Sequence, residues 1–378
     1  MKIRARSLML PGAFVPDQTV TIEQGRIASV GPWQEDADHT VDYLTPGLID
    51  LHCHGGEGFN ARDFGIDKIR PFLDRMLRAG VTDFLMTIST GRRETMRHGL
   101  EVTRQAMRMQ AEGQLGGARV LGAHLEGPFL SLSSPGAMQK SAIIPPSIEA
   151  FLDFFGGYED VIREVSLAPE EPGADALIAH LLHRGIQVQA GHTYATYDEA
   201  LRGFACGVGS LCHSFNACRP IHHREPGIVA AAMENPEIYM EAICDLKHLH
   251  PATIRLIYRM KGPDRMMLIS DSTVTHGLPD GEYFAEGYDI LVKDGVSRTR
   301  NGALDGGGAY LDEAVQNVSA NGIPLLDAFT MASQTCARRM RLNALGEIRP
   351  GFTAHLTGWN ADLRPMLAVL GDEAIPLG

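Results

Sequence analysis

Leu48-Ile49-Asp50-Leu51-His52-Cys53-His54 is the stretch that decides the fold. A short apolar run of strand character leads straight into two histidines one residue apart. Alternation along an extended chain puts His52 and His54 on the same side. Seven further apolar runs of strand length follow, at 81–88, 119–124, 164–167, 186–190, 207–212, 238–244 and 266–269. The intervening segments can hold helices, most clearly at 66–78, 95–110, 174–183, 197–204 and 251–260. An eighth helix is predicted over 324–340, after a Gly-rich stretch. Strand and helix alternating eight times reads as a parallel sheet with right-handed crossovers. Over roughly 300 residues that pattern fits a (β/α)8 barrel, an α/β fold with its active site at the C-terminal ends of the strands.

Outside the alternating region the texture changes. Val20-Thr21-Ile22 and Arg26-Ile27-Ala28-Ser29-Val30 flank a turn at Glu23-Gln24-Gly25, which reads as a hairpin. The stretch from Gly346 to Trp359 is similar. Residues 1–45 and 345–378 are therefore expected to build a small β-sandwich from both chain termini, with residues 46–344 as the barrel.

Composition narrows the function. The 378 residues carry 34 Lys and Arg against 46 Asp and Glu, so 34 − 46 gives −12. Without a basic block, that balance argues against nucleic-acid binding. No run approaches the roughly 18 apolar residues of a membrane span, so no membrane partner is expected. Six cysteines, none in a Cys-x-x-Cys pair, suit a reducing cytoplasm. The even steps from Cys206 to Cys212 to Cys218 are read as small apolar residues rather than as a metal motif.

The ends of the runs carry the chemistry. The first ends in His52 and His54, the third in His124-Leu125-Glu126-Gly127-Pro128, the fifth in Ala190-Gly191-His192. The sixth ends in His213 and the eighth in Ser270-Asp271. Each residue alone has an ordinary explanation: a surface histidine, a turn glutamate, a capping aspartate. Together they place four His and two carboxylates at one barrel mouth, a donor set suited to a divalent transition metal. His39, His98, His180 and His183 fall in helices or loops and are expected to be solvated.

The run from Thr45 to Gly55 resembles the start of an amidohydrolase-superfamily barrel. Within that superfamily the chain resembles the N-acetylglucosamine-6-phosphate deacetylases over nearly its full length. The resemblance rests on His124-Leu125-Glu126-Gly127-Pro128-Phe129-Leu130, Ala190-Gly191-His192-Thr193, His213-Ser214-Phe215-Asn216-Ala217, Arg224-Glu225-Pro226-Gly227, Leu268-Ile269-Ser270-Asp271 and Gly346-Glu347-Ile348-Arg349-Pro350-Gly351. It implies Glu126, His192 and His213 as ligands of a main metal, and His52 and His54 as ligands of a second, bridged by Glu126. It implies Asp271 as the acid/base at the metal. Asn216, Ala217, Arg224 and His248 would contact substrate, Arg224 through the sugar phosphate and in this family sometimes from a neighbouring subunit. A homodimer follows as the expected assembly. One or two ions are expected, zinc first, with iron, manganese or cobalt as alternatives.

Two departures stand out. Relatives carry Gly-Ala-His where this chain has Gly136-Ala137-Met138, and methionine cannot donate a hydrogen bond to an acyl oxygen. Relatives also carry Leu-Ala-Gly-Ser where this chain has Leu304-Asp305-Gly306-Gly307. The implied reaction is deacetylation of an amino-sugar phosphate, N-acetylglucosamine 6-phosphate first. The alternatives are another N-acyl amine, an N-acyl amino acid or a lactone. A catalytically dead sugar-phosphate binder would lack Asp271 or the metal-binding residues, and the chain keeps both.

Overall fold

A computed structural model describes residues 1–377. Its eight barrel strands, numbered here β1 to β8, are Leu48–Cys53, Val81–Ser89, Arg119–Glu126, Ile162–Leu167, Gln187–Ala190, Ser210–Leu211, Tyr239–Ile243 and Met266–Ile269. They pair in sequence order and all in parallel. Both β1 and β2 are buried along their whole length, as expected when helices cover the outer face and side chains fill the inner one. The ring is drawn shut at its C-terminal end. There the Asp271 N–H donates to His52 O at 2.9 Å, and the His54 N–H to Ser272 O at 2.8 Å.

The helices follow local rules where those rules are strong. Tyr197–Cys206 opens on a capping box, Thr196 with Glu199, and stops at Gly207, whose φ is 111°. The single helix expected over 324–340 is two, Leu325–Ala332 and Gln334–Arg339. Ser333 breaks it: its backbone sits at φ −139°, ψ −75°, and its hydroxyl donates back to Phe329 O at 2.6 Å. Arg70–Arg78, Arg93–Ala111, Ala174–His183 and Pro251–Lys261 lie where helices were expected, and Ile148–Phe155, Gly227–Glu234 and Leu311–Ala320 are the remaining α-helices among the described residues. A three-stranded antiparallel sheet, Gly281–Ala285, Tyr288–Lys293 and Val296–Thr299, is inserted after β8.

Strands from both termini form one seven-stranded sheet rather than two separate ones. It closes over its own apolar cluster, which includes Ile3, Leu8, Val20, Ile22, Val41, Leu44, Leu356 and Val369. The hairpin turn near Gly25 is tied back across the sheet: the Ile27 N–H donates to Phe352 O at 2.9 Å, and the Ala354 N–H to Gly25 O at 3.0 Å. The small β unit expected from both termini is thus one seven-stranded sheet. Trp359 joins it to the barrel, packing with Phe329 at 5.0 Å between ring centroids.

Candidate metal centre and active site

His52 lies near the end of β1 and His54 just beyond it, Glu126 ends β3, and His192, His213 and Asp271 lie just beyond β5, β6 and β8. All six are buried, and their ligand atoms converge. Glu126 Oε1 lies 3.0 Å from His192 Nε2 and 2.9 Å from His213 Nε2, and the two nitrogens are 3.1 Å apart. Beside this triangle, Asp271 Oδ1 is 3.3 Å from Nε2 of both His52 and His54. Glu126 links the two groups, because its Oε2 lies 3.4 Å from His54 Nε2 and has no hydrogen-bond partner.

The outer ring nitrogens reveal what the inner ones need. His192 Nδ1 faces Ser134 O at 3.2 Å, and a carbonyl only accepts, so Nδ1 carries the proton. His192 Nε2 then turns a lone pair toward a carboxylate oxygen. His52 repeats the pattern. Its Nδ1 donates to Glu241 Oε2 at 3.1 Å, so its Nε2 lone pair faces His54 and Asp271. With the rings neutral, as metal ligands must be, lone pairs directed at one another at these distances repel unless a cation, a proton or a metal ion, lies among them. The edges of about 3 Å are near the roughly 3.3 Å of a four-coordinate site with bonds of ~2.0–2.1 Å. The donor set fits a divalent metal.

The titration of these groups has the same sign. Burial alone would push the Glu126 carboxyl up, but His192 and His213 hold it well below the usual carboxylate range. Burial likewise works against Asp271, and the charges of His52 and His54 outweigh it, so its carboxyl lies low. Burial would lower His52, yet Asp271, Glu241 and Glu126 raise it to about 10. Carboxylates held ionised, whose field draws imidazoles toward the cationic form, make a site that favours added positive charge.

The surroundings fix these side chains. Glu241, from β7, accepts from both His52 Nδ1 and the His213 N–H at 3.1 Å, so one carboxylate orients two neighbours. Cys212 Sγ lies 3.5 Å from His52 Nδ1, but burial pushes its thiol well above the usual range, so it packs as a neutral group. His192, His213 and Asp271 have φ of 47°, 23° and 49°. Non-glycine residues in that region cost about 1–3 kcal/mol each and concentrate at functional sites. Gly136 permits the closest approach: a Cβ there would meet His192 Cε1 at 2.8 Å.

The amidohydrolase family model matches residues 43–376. The chain belongs to the amidohydrolase family. Among curated proteins it is 32% identical to an N-acetylgalactosamine-6-phosphate deacetylase of Escherichia coli O157:H7, across 96% of this chain and 95% of that one. It is 33% identical to an N-acetylglucosamine-6-phosphate deacetylase of Vibrio furnissii, across 95% and 91%. Among solved structures, an N-acetyl-D-glucosamine-6-phosphate deacetylase mutant from Mycobacterium smegmatis, in complex with N-acetyl-D-glucosamine-6-phosphate, superposes with a TM-score of 0.90. It is 29% identical and covers 99% of this chain and 98% of its own. The Thermotoga maritima N-acetylglucosamine-6-phosphate deacetylase superposes at 0.88, with 28% identity and 99% of both chains covered. This amidohydrolase is therefore a hydrolase acting on carbon–nitrogen bonds.

A cavity of about 290 Å³ opens over the converging side chains. Met138, Asn216, Ala217 and His248 line it, together with His54, Glu126, His192, His213 and Asp271. Asn216 Nδ2 donates to His213 O at 3.1 Å, holding the loop in which Ala217 has a φ of 45°. His248 Nδ1 is 2.8 Å from Asp245 Oδ2, which leaves Nε2 for the cavity. Arg224 lies apart from these. It is exposed, its Nη1 is 2.8 Å from His223 Nε2, and it does not line the cavity.

Sequence reading passed over Glu241 and a wall built from the inserted sheet. Glu286 and Tyr288 line the cavity beside Thr273, Leu304 and Asp305. Ser89 Oγ donates to Glu286 Oε2 at 2.6 Å, and Arg62 lies 3.4 Å from the same oxygen. Tyr288 Oη donates to Asp305 Oδ1 at 2.7 Å. Burial is the main cause that pushes the Asp305 carboxyl up to about 6. His180, expected to be solvated, turns its Nε2 into the protein and packs 6.0 Å from the ring of Phe151.

Proposed function

We propose that this amidohydrolase is a metal-dependent deacetylase of N-acetylated hexosamine 6-phosphates, acting on N-acetylglucosamine 6-phosphate to release glucosamine 6-phosphate and acetate. The observation that carries this reading is the lone-pair convergence around Glu126, with ionised Asp271 Oδ1 beside it. Glu126, His192 and His213 would hold one ion; His52, His54 and Asp271 would hold a second. Zinc is the first candidate on ligand type, with iron, manganese and cobalt as alternatives. When bound, such an ion acidifies water toward a pKa of ~7 and stabilises charge on the acyl oxygen.

The chain's own groups then do the proton work. Asp271 accepts a proton from the attacking water as the new C–O bond forms. It returns that proton to the amine nitrogen as the C–N bond breaks, so the leaving group departs neutral. His248, Asn216 and Ala217 line the rest of the cavity and would hold the sugar phosphate. Met138 cannot assist the acyl oxygen, which leaves its stabilisation to the metal site.

Among the described residues, no Lys or Arg lines the cavity. A phosphate there needs a cation from elsewhere, and exposed Arg224 would supply it from a neighbouring copy. A homodimer in the cytoplasm is the assembly this reading requires. The galacto epimer is a second substrate candidate, favoured by the similarity to the E. coli O157:H7 relative.

Acetate release from both phosphorylated epimers, their unphosphorylated sugars and a panel of N-acyl amino acids tests the assignment. Turnover confined to the N-acyl amino acids would overturn it. Elemental analysis tests the metal site separately: Glu126→Gln should bind less metal, and undiminished content would remove Glu126 from the site.

A further inference from the structure

Asp305 lies in the loop that follows the inserted sheet, on the wall of the cavity that holds Asp271. It is 3% exposed. Its main chain is pinned: its N–H donates to Ser297 O at 3.0 Å, and Thr273 Oγ1 donates to its carbonyl at 3.2 Å. Two residues on, the Gly307 N–H donates to Asp271 O at 2.7 Å, which ties this loop to the backbone of Asp271. Of the two carboxyl oxygens, Oδ1 accepts from Tyr288, while Oδ2 is buried and has no partner. No ion pair involves Asp305 among the described residues. Glu286, the neighbouring carboxylate, is satisfied by Ser89 and Arg62. The fold thus spends Glu286 on holding the wall and leaves one acceptor of Asp305 unused beside the reacting groups.

We propose that the Asp305 side chain turns its unpartnered Oδ2, closed to solvent in this structure, toward the cavity it lines and accepts a hydrogen bond from a substrate hydroxyl next to the scissile amide, which makes Asp305 a specificity-determining residue. A carboxylate accepts and repels anions, so its complement is an uncharged donor and the phosphate must bind away from this wall. It lines the same cavity as Asp271, which would act at the amide. On a 2-acylamino sugar the hydroxyls flanking the amide are those on C1 and C3. The proposal rests on the amino-sugar reading above and adds which part of the sugar is read. Loss of one hydroxyl is costly where a buried group was built to bind it, because that group is left unpaired.

The test compares kcat/KM for N-acetylglucosamine 6-phosphate and its 1-, 3- and 4-deoxy analogues on wild type, Asp305→Ala and Asp305→Asn. On wild type, the 1- or 3-deoxy analogue should fall by about 10²-fold or more below the parent. On Asp305→Ala, that analogue and the parent should come within about threefold of each other, since the acceptor has gone. Asp305→Asn is isosteric and guards against misfolding. Its neutral oxygen accepts more weakly, so the discrimination should shrink by roughly tenfold. Equal losses on all four substrates in both variants would overturn the assignment and leave the amino-sugar reading standing. Discrimination seen only against the 4-deoxy analogue would overturn it too. No acetate from any of the four on wild type would overturn the amino-sugar reading itself, and Asp305's role with it.

Discussion

Replacing Glu241 with Gln tests whether the metal centre is positioned from behind. Glu241 Oε2 receives two bonds, from His52 Nδ1 and from the His213 main chain, both at 3.1 Å in a fully buried setting. Hydrogen bonds to a charged group contribute about 1.5–3 kcal/mol net, against about 0.5–1.5 for neutral partners. Neutralising the acceptor therefore removes about 1 kcal/mol per bond, or roughly 2 kcal/mol for the pair. The amide group adds a second cost. Glu241 Oε1 has no partner, so an NH2 placed there would be a buried donor without an acceptor. At ~1.4 kcal/mol per tenfold, the expected loss in metal affinity is about 10- to 100-fold, the usual range for groups that orient ligands. The site at His52 should weaken most, because only there does Glu241 set the ring tautomer. Competition with a chromophoric chelator, with elemental analysis of the bound metal, measures both sites. Two sites with unchanged affinity, in a variant that melts like wild type, would refute the reasoning.

Asp271→Asn should fold normally and lose about 10²–10⁴-fold in kcat, because both proton transfers lose their agent; retention of more than a tenth of the rate would remove Asp271 from that role. Arg224→Ala should lose about 1.5–3 kcal/mol of transition-state binding on phosphorylated substrates and almost none on the unphosphorylated sugars. Co-expressing it with Asp271→Asn should restore up to roughly a quarter of wild-type activity: half the dimers are mixed, and each has one complete site if Arg224 acts across the interface. Arg339→Met should destabilise the fold by about 3–5 kcal/mol by stranding Glu164, which Arg339 Nη2 contacts at 2.6 Å. Burial holds the Glu164 carboxyl up to about 7 in spite of Arg339. A carboxyl raised on folding costs stability as pH rises above its unfolded value, so the variant's Tm deficit should be larger at pH 9 than at pH 6.

What could be read in advance was whatever a strand end displays. His52, His54, Glu126, His192, His213 and Asp271 were legible because a barrel strand aims its last residues at one mouth, whatever the loops do. Glu241 was legible in principle, since a lone acidic residue in the apolar run Tyr239-Met240-Glu241-Ala242-Ile243 needs a buried partner. The inserted sheet also left a signal. Asp294-Gly295 forms its second turn with φ of 52° and 69°, the backbone that such a dipeptide favours. That Glu286, in the first turn, reaches the cavity could not be read, because it depends on Arg62 and Ser89 from distant parts of the chain. The positive φ of His192, His213 and Asp271 was equally hidden, since nothing in those residue types favours it. Tertiary contacts impose it.

The barrel interior beneath the site is polar where a purely structural barrel would stack aliphatic layers. His124 bonds Thr87 Oγ1 at 3.1 Å and Ser166 Oγ at 2.7 Å, and Gln189 Nε2 reaches the same ring at 2.9 Å. Ser210 meets Gln189 at 3.5 Å, and Arg339 meets Ser210 at 3.0 Å and Glu164 at 2.6 Å. Burial lowers His124 well below the usual imidazole range, so it stays neutral beside the charged centre. Such a column is a poor source of stability, because burying an ion pair costs about as much as the attraction returns. Its physical return is orientation. His124, Gln189 and Arg339 each bond groups from two or more strands, so a shift in any one of them would break several bonds together. The converging atoms above are thereby kept at separations of about 3 Å that mutual repulsion alone would open. The same logic explains why Glu241 belongs to this column rather than to the cavity: it closes the upper end, one side chain below the atoms that would bind the metal.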